Sequence, residues 1–314
     1  MILVILTWRE KILRLVVLGG SGFLGQSIVQ GARSRGDRVT VLGRQNCNLY
    51  DLSSLVQSLE TIAPDALINA AGYSGRPNVD ACEMNKAECL AANAVLPGII
   101  GQACHQIGLP WGHISSGCIF NNTETPQRSF SELDKPNFTF RQGPCSFYSG
   151  TKALGEEVLQ DASQCYIWRI RIPFSNWDSE RNYLSKLIRY DRLLEATNSI
   201  SEVNEFVSAV LDCFVMRVPF GIYHLTTPGA VSTTEVVQMI RESGIADKDF
   251  RFFNSEEEFM QVAATTPRSN CILNCQKALQ AGLKLSPIRE AIVRALLSWI
   301  PENQALYQRD ALDL

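Results

Sequence analysis

Tyr148-Ser149-Gly150-Thr151-Lys152 sets a phenol and an ammonium four residues apart, and on a helix that spacing puts both on one face. A free tyrosine has a pKa of about 10 and is a poor proton donor or acceptor near neutrality. A cation held beside it favours the phenolate and lowers that pKa, so the pair can move a proton to or from a substrate oxygen. Upstream, the run Ile114-Ser115-Ser116-Gly117-Cys118 follows a strand end, where the Ser116 hydroxyl can orient a carbonyl toward the tyrosine. A Tyr-x-x-x-Lys spacing alone is common and mostly structural. Its chemical reading here rests on the serine pair and on a glycine-rich turn earlier in the chain.

That turn is Gly19-Gly20-Ser21-Gly22-Phe23-Leu24-Gly25, at the end of the first β-type run and the start of the first helix. Glycines there let the backbone turn tightly and approach a pyrophosphate, while the helix N-terminus offers free N–H groups and a positive dipole end. In the first βα unit of an alternating chain this predicts dinucleotide binding. The second strand ends in Gly43 and Arg44 with no acid to meet a ribose 2′-hydroxyl. Arg44 can pair with a 2′-phosphate, so NADP(H) is expected; the bland alternative is a solvated surface arginine. Asp51 is a candidate adenine contact, in a turn that favours Asp in any case. Ala70, Ala71 and Gly72, after the third strand, are read as further cofactor contacts.

The elements that must position these groups alternate. Strands are predicted at Leu13–Leu18, Arg38–Leu42, Ala66–Asn69, Trp111–Ser115, Cys165–Ile172 and Gly221–Leu225. Helices are predicted at Phe23–Arg35, Ser53–Ile62, Cys82–Ile107, Ser146–Leu159, Asn182–Glu195, Thr233–Ser243 and Ile288–Ile300. This pattern implies an α/β fold, a Rossmann-type doubly wound parallel sheet covered on both faces. Residues 1–173 form the predicted nucleotide-binding domain, with a returning strand near 221–226. Residues 174–314 form mainly a smaller C-terminal substrate-binding lobe.

The chain has 314 residues, 46% hydrophobic and 19% charged, with a net charge of −3, a globular mix that argues against a nucleic-acid or anionic-membrane binder. No uninterrupted apolar run approaches the ~20 residues of a transmembrane helix. Met1–Leu6 is apolar, but Arg9, Glu10, Lys11 and Arg14 follow and no small-residue cleavage site appears, so a cytoplasmic location is expected. The ten cysteines include no C-x-x-C pair and only three histidines accompany them, which favours reduced thiols and no metal site. Residues 1–12 have no assigned role.

The glycine turn, Asn69-Ala70-Ala71-Gly72, the strand-end serines and Tyr148 with Lys152 resemble the extended short-chain dehydrogenase/reductases. More specific strings resemble one branch, the nucleotide-rhamnose synthase/epimerase-reductases related to dTDP-4-dehydrorhamnose reductase. They are Gly75-Arg76-Pro77-Asn78-Val79-Asp80, Gly117-Cys118-Ile119-Phe120, Asp134-Lys135-Pro136-Asn137-Phe138-Thr139, Arg181-Asn182 and Pro267-Arg268-Ser269-Asn270. The likeness runs from Leu15 to about Leu297. It implies a 4-keto-6-deoxyhexose nucleotide substrate, epimerised at C3 and C5 and then reduced at C4 by NADPH to an L-rhamnose nucleotide. Both hydrogens are alpha to the C4 carbonyl, so one acid/base pair can remove and return them through an enolate. The family uses a cysteine at Cys118 and a lysine that corresponds to Lys186, and a nearby cation lowers a free thiol's pKa from ~8.5. Without the resemblance, Cys118 reads as a small buried hydrophobe and Lys186 as a solvated helix residue.

Substrate anchors are less sharply marked. Arg268 is read as a diphosphate clamp, because a guanidinium pairs bidentately with phosphate oxygens. Asn182 is assigned to the diphosphate or sugar, and Arg76 and Asn78 to the sugar pocket. Ser116 stands where many members carry threonine, Gly150 replaces a commonly basic residue, and residues 199–205 match poorly. The leading expectation is a bifunctional 3,5-epimerase/4-ketoreductase acting on a UDP- or dTDP-linked sugar, with a GDP sugar as a further option. Two alternatives stand beside it: a 4-ketoreductase alone, and a non-catalytic NADP-binding regulatory subunit. The resemblance also implies a homodimer formed through two helices flanking the sheet.

Overall fold

The computed structural model describes residues 12–122 and 128–302. The apolar opening Met1–Leu6 and part of the polar loop at 121–137 lie outside the described residues. Six strands form one parallel sheet: β1 (Arg14–Leu18), β2 (Arg38–Leu42), β3 (Ala66–Asn69), β4 (Trp111–Ser116), β5 (Cys165–Ile170) and β6 (Gly221–His224). Their spatial order is β6-β5-β4-β3-β1-β2. The chain adds β2 on one side of β1 and then β3 on the other. That reversal leaves a crevice at the carboxyl ends of β1 and β3, where ligands bind in open α/β sheets.

The inner strands are apolar runs because both faces are covered. Leu15 and Val17 pack under α1 (Phe23–Ser34) and a helix at Val203–Val215, while Val16 and Leu18 pack under α2 (Leu52–Ile62) and α3 (Lys86–Ile107). Consecutive strand residues point to opposite faces, so one short run feeds both layers. Edge strand β2 keeps Arg38 and Thr40 at its surface. Helix α3 has the length and mean hydropathy, 1.2, of a membrane span, but its Leu96, Ile100 and Ala103 are spent against the sheet.

Several boundaries differ from the expected ones. The helix expected at Cys82–Ile107 breaks at Asn85 (φ −119°, ψ 50°), leaving a separate turn at Ala81–Met84. The one expected at Asn182–Glu195 is only Tyr183–Arg189, since Arg192–Leu193 pairs in parallel with Arg251–Phe252. The closing helix ends at Leu297. The C-terminal lobe has its own core of Phe174, Leu187, Val236, Ile240, Ile292 and Leu296. Helix Val203–Val215, with Ala278 and Leu283, instead joins the core on the sheet.

The helix that carries Tyr148, α4 (Phe147–Val158), crosses α3 where α3 widens into a π-turn at Ala91–Val95. There the Asn93 side chain accepts from Tyr73 N (2.8 Å) and donates to the Tyr73 carbonyl (2.8 Å) and Thr151 Oγ1 (3.1 Å). This ties the loop after β3 to α4. The crossing is so close that a Cβ on Gly155 would lie 2.2 Å from the Asn93 carbonyl oxygen. Gly155→Ala is therefore expected to lower stability by about 1–3 kcal/mol despite alanine's better helix propensity. Urea unfolding checks this, and equal or greater stability would show that the crossing has room.

Candidate active site

The glycine turn has the backbone its sequence requires. Gly19 sits at φ +74°, and a Cβ on it would come 2.6 Å from the Ala71 backbone. A Cβ on Gly25 would lie 2.0 Å from the Gly19 carbonyl oxygen, and Gly22 N donates to that same oxygen (3.0 Å). Gly22 begins α1 without a side-chain cap, so the first N–H groups of the helix remain available to an anion. This cradle, with Ser21, Phe23 and Leu24 inside the turn and Ala70, Ala71 and Gly72 facing it from β3, fits a dinucleotide pyrophosphate. At the tip of β2, Asn46 closes the turn by accepting from Gly43 N (2.7 Å), and Arg44 is exposed. Asp51 accepts from Ser54 N (2.6 Å) and so serves α2 as its N-cap.

Helix α4 begins at a Ser146 cap, and Glu83 adds an acceptor for Phe147 N (2.7 Å). Tyr148, Lys152 and Glu156 then fall on one face, against β4. Ser115 donates to Glu156, while Ser116, at the end of the strand, hydrogen-bonds the Tyr148 phenol. Cys118 is half-buried beside them, its N–H donating to Ser116 Oγ (3.1 Å), and it is an electrostatic neighbour of both Tyr148 and Lys152.

Burial and the neighbouring Cys118 push the Tyr148 phenol up, against the Ser116 hydrogen bond. This reverses the expected lowering by Lys152. Burial pulls Lys152 itself down to about 8, against the charge of Glu156. Lys152 Nζ donates to the Ile114 carbonyl (2.8 Å) and lies 3.2 Å from His113 Nε2. Asn69 Oδ1 is committed to Ala71 N (3.0 Å), so its amide nitrogen donates to His113 Nδ1 (2.9 Å). The imidazole proton then sits on Nε2, facing the lysine. Two donors meet there unless the ammonium gives up a proton, the direction in which burial already drives it.

Sequence reasoning missed three parts of this site. Glu156 and Arg169 form a buried bidentate pair (Nη2 to Oε2, 2.6 Å) that locks α4 to β5, and Arg169 Nη1 donates to His224 Nε2 (3.0 Å). Arg171, also buried, donates from Nη1 to Cys118 Sγ (2.9 Å). Arg181, which donates to the Gly75 carbonyl (2.7 Å), joins a basic wall with Lys186 and Arg268. The signal for the first two was present, as two arginines two residues apart in an otherwise apolar strand.

The expected substrate residues divide. Lys186 is pulled down by burial and then by Arg181 and Arg268, so it faces those cations, while the cation on the thiol is Arg171. Arg268 pairs bidentately with Asp80 (2.8 and 2.7 Å); burial pushes the Asp80 carboxyl up, but the guanidinium holds it below the usual range. Arg76 is exposed, and Asn78 Oδ1 accepts from Asp80 N (2.9 Å). Asn182 is fully buried: it caps Tyr183–Arg189 and donates to the Ser175 and Trp177 carbonyls, which removes it from the substrate set. A cavity of about 1530 Å³ lies at the opposite end, by Leu13, Asp65, Pro110 and Phe220 at the starts of strands.

Two predictions follow from these groups. Burial, then Lys152, holds His113 far below its ordinary pKa, and burial, then Arg169, holds His224 at about 3. Below the unfolded value of about 6.5 the unfolded chain takes up protons that the folded chain refuses. Stability therefore falls as pH falls, by about 1 kcal/mol per histidine between about pH 7 and about pH 5.5. Urea titrations at the two pH values check it, and equal stability would contradict it. Glu156→Gln leaves Arg169 buried and unpaired, and should lose about 3–5 kcal/mol; a loss below about 1 kcal/mol would show that the pair anchors nothing.

The family described as RmlD substrate binding domain matches residues 13–299. A bifunctional dTDP-4-dehydrorhamnose 3,5-epimerase/dTDP-4-dehydrorhamnose reductase from Arabidopsis thaliana is 32% identical over 285 residues, covering 89% of this chain and 91% of that protein. A trifunctional UDP-glucose 4,6-dehydratase/UDP-4-keto-6-deoxy-D-glucose 3,5-epimerase/UDP-4-keto-L-rhamnose-reductase from the same plant is 33% identical over 251 residues, or 78% of this chain. The chain spans 36% of that longer protein. Among solved structures, the L780 UDP-rhamnose synthase of Acanthamoeba polyphaga mimivirus superposes with a TM-score of 0.84 at 21% identity, over 92% of this chain and 100% of that one. The dTDP-4-dehydrorhamnose reductase of Bacillus anthracis, in complex with NADP, gives 0.75 at 18% identity, over 95% and 100%. These two likenesses establish the shared fold.

Proposed function

Starting from the fact that the chain belongs to the RmlD substrate-binding-domain family of short-chain dehydrogenase/reductase-type oxidoreductases, we propose that it makes an L-rhamnose nucleotide by two reactions in one cleft. It epimerises C3 and C5 of a UDP- or dTDP-4-keto-6-deoxyglucose and then reduces the C4 ketone with NADPH. What carries the reading is the meeting of Cys118, Ser116 and Tyr148 at the carboxyl end of β4. The relatives' names support the same pair of activities, and the NADP complex of the Bacillus anthracis reductase supports the choice of cofactor.

The glycine turn at Gly19–Gly25 holds the cofactor diphosphate, Arg44 its 2′-phosphate and Lys152 a ribose hydroxyl. NADPH, when bound, supplies the hydride that reduces C4. The chain's residues do the proton chemistry. Cys118 sulfur takes the hydrogen at C3 as a proton; the thiol then loses that proton to solvent and Lys186 regains one, and a second round takes the hydrogen at C5. Ser116 and Tyr148 hydrogen-bond the C4 oxygen while it carries the enolate charge, and Lys186 returns a proton to the opposite face. In the reduction Tyr148, whose phenol keeps its proton, gives it to the C4 oxygen. Arg181 and Lys186 attract the substrate diphosphate, while the fork of Arg268, expected as the clamp, is taken up by Asp80.

A second reading, reduction alone, is favoured by one observation: Lys186 sits with Arg181 and Arg268, while Arg171 holds the thiol. Variants separate the two. In D2O without NADPH, wild type should put deuterium at C3 and C5 of either nucleotide sugar, and Cys118→Ser should not. Tyr148→Phe should still exchange, more slowly, with Ser116 alone on the enolate oxygen, but lose reduction by about 10²–10⁴-fold. If NADPH is consumed only after a separate epimerase is added, the second reading is correct.

A further inference from the structure

Arg171 is a buried cation without a carboxylate. Its neighbour two residues back shows what such a group needs: Arg169 is paired with Glu156 through three contacts of 2.6–3.1 Å. Among the described residues no Asp or Glu pairs with Arg171. Its Nη2 donates to Asn198 Oδ1 (2.6 Å) and to the Ser269 carbonyl, both neutral. Its Nε is buried without any partner. The remaining nitrogen, Nη1, donates to Cys118 Sγ at 2.9 Å. Among the described residues two other N–H groups donate to sulfur, Trp168 to Cys213 and Asn93 to Cys89, and both stand at 3.3 Å. The guanidinium's own charge makes this a charge-assisted hydrogen bond, and a buried charge calls for a counter-charge.

We propose that Arg171 is the counter-ion of Cys118, whose sulfur rests as a thiolate on the guanidinium.

This deepens the epimerase reading and rests on it for its use: the thiolate takes the substrate proton, becomes a thiol, and leaves the electron pair on the enolate. The groups facing Cys118 are Arg171 from the end of β5, Tyr148 and Lys152 from α4, and Cys271 from the segment after Arg268. Burial alone pulls the guanidinium down, yet the sulfurs of Cys271 and Cys118 turn the balance upward. Cys271 is not the anion, because burial pushes its thiol up and it donates to the Gly117 carbonyl (3.3 Å). Tyr148 responds in the opposite sense to a thiolate, holding its proton more tightly, so base and acid are kept apart in one cleft. Gly117 keeps this corner open, since a Cβ there would lie 2.6 Å from Leu273 Cδ1 and 3.2 Å from Arg171 Cδ.

The test reads the thiolate directly in the full-length protein. Ultraviolet thiolate absorbance of wild type minus Cys118→Ser should be present at about pH 6.5, two units below a free thiol's value. Iodoacetamide alkylation of Cys118, read by mass spectrometry so that the other partly exposed thiol, Cys145, is scored separately, should fall at that pH by about 10-fold or more in Arg171→Met. Arg171→Lys should restore part of it. No thiolate signal in wild type overturns the proposal even if neither arginine variant folds, and so does an unchanged alkylation rate in a folded variant. Deuterium exchange is scored apart: a thiolate without exchange sustains the counter-ion and removes the epimerase, and exchange without a thiolate does the reverse.

Discussion

The chemistry of this protein hangs on how helix α4 is pressed against β4. Tyr148, Lys152 and Glu156 share one face, and the pair between Glu156 and Arg169 clamps the far end of that face to β5. Lys152 is held in the middle by the Ile114 carbonyl and His113. The near end, with Tyr148, is thereby left nowhere to go but over Ser116 and Cys118. Asn93, in the π-turn of α3, ties the same helix to the loop after β3 and so to the glycine cradle. Hydride and proton chemistry need reacting atoms held within a fraction of an ångström, and this set of buried contacts supplies the positioning.

Burial also sorts the charges. The phenol is driven up and the lysine down, so acid and amine both sit nearer their neutral forms than in water. Two guanidiniums reach the sheet's carboxyl end from β5, and they are handled differently. Arg169 meets a carboxylate and builds the scaffold; Arg171 meets a sulfur at the reacting end. The basic wall of Arg181, Lys186 and Arg268 lies beyond, fixed to the loop after β3 through Gly75 and Asp80.

Local pattern was readable in the sequence and long-range contact was not. Strand and helix alternation, the glycine turn and the four-residue spacing of Tyr148 and Lys152 depend on neighbours within a few positions, and periodicity reports those. Asn182 was read as a substrate group because an exposed amide and a buried cap look alike in a string of letters. Arg171 escaped notice because its partners are 27, 53 and 98 residues away, and the bond between Arg268 and Asp80 spans 188. The helix after Asn182 was drawn too long because pairing of Arg192–Leu193 with Arg251–Phe252 overrides local helical preference.

The central claim is that one cleft performs both the epimerisations and the reduction. The most direct measurement is a single turnover of UDP- or dTDP-4-keto-6-deoxyglucose with unlabelled NADPH in D2O, followed by nuclear magnetic resonance of the sugar product. The account predicts an L-rhamnose nucleotide with deuterium at C3 and C5 and protium at C4. A 4-hydroxy product that keeps protium at C3 and C5, or no rhamnose nucleotide until another enzyme is added, would contradict it.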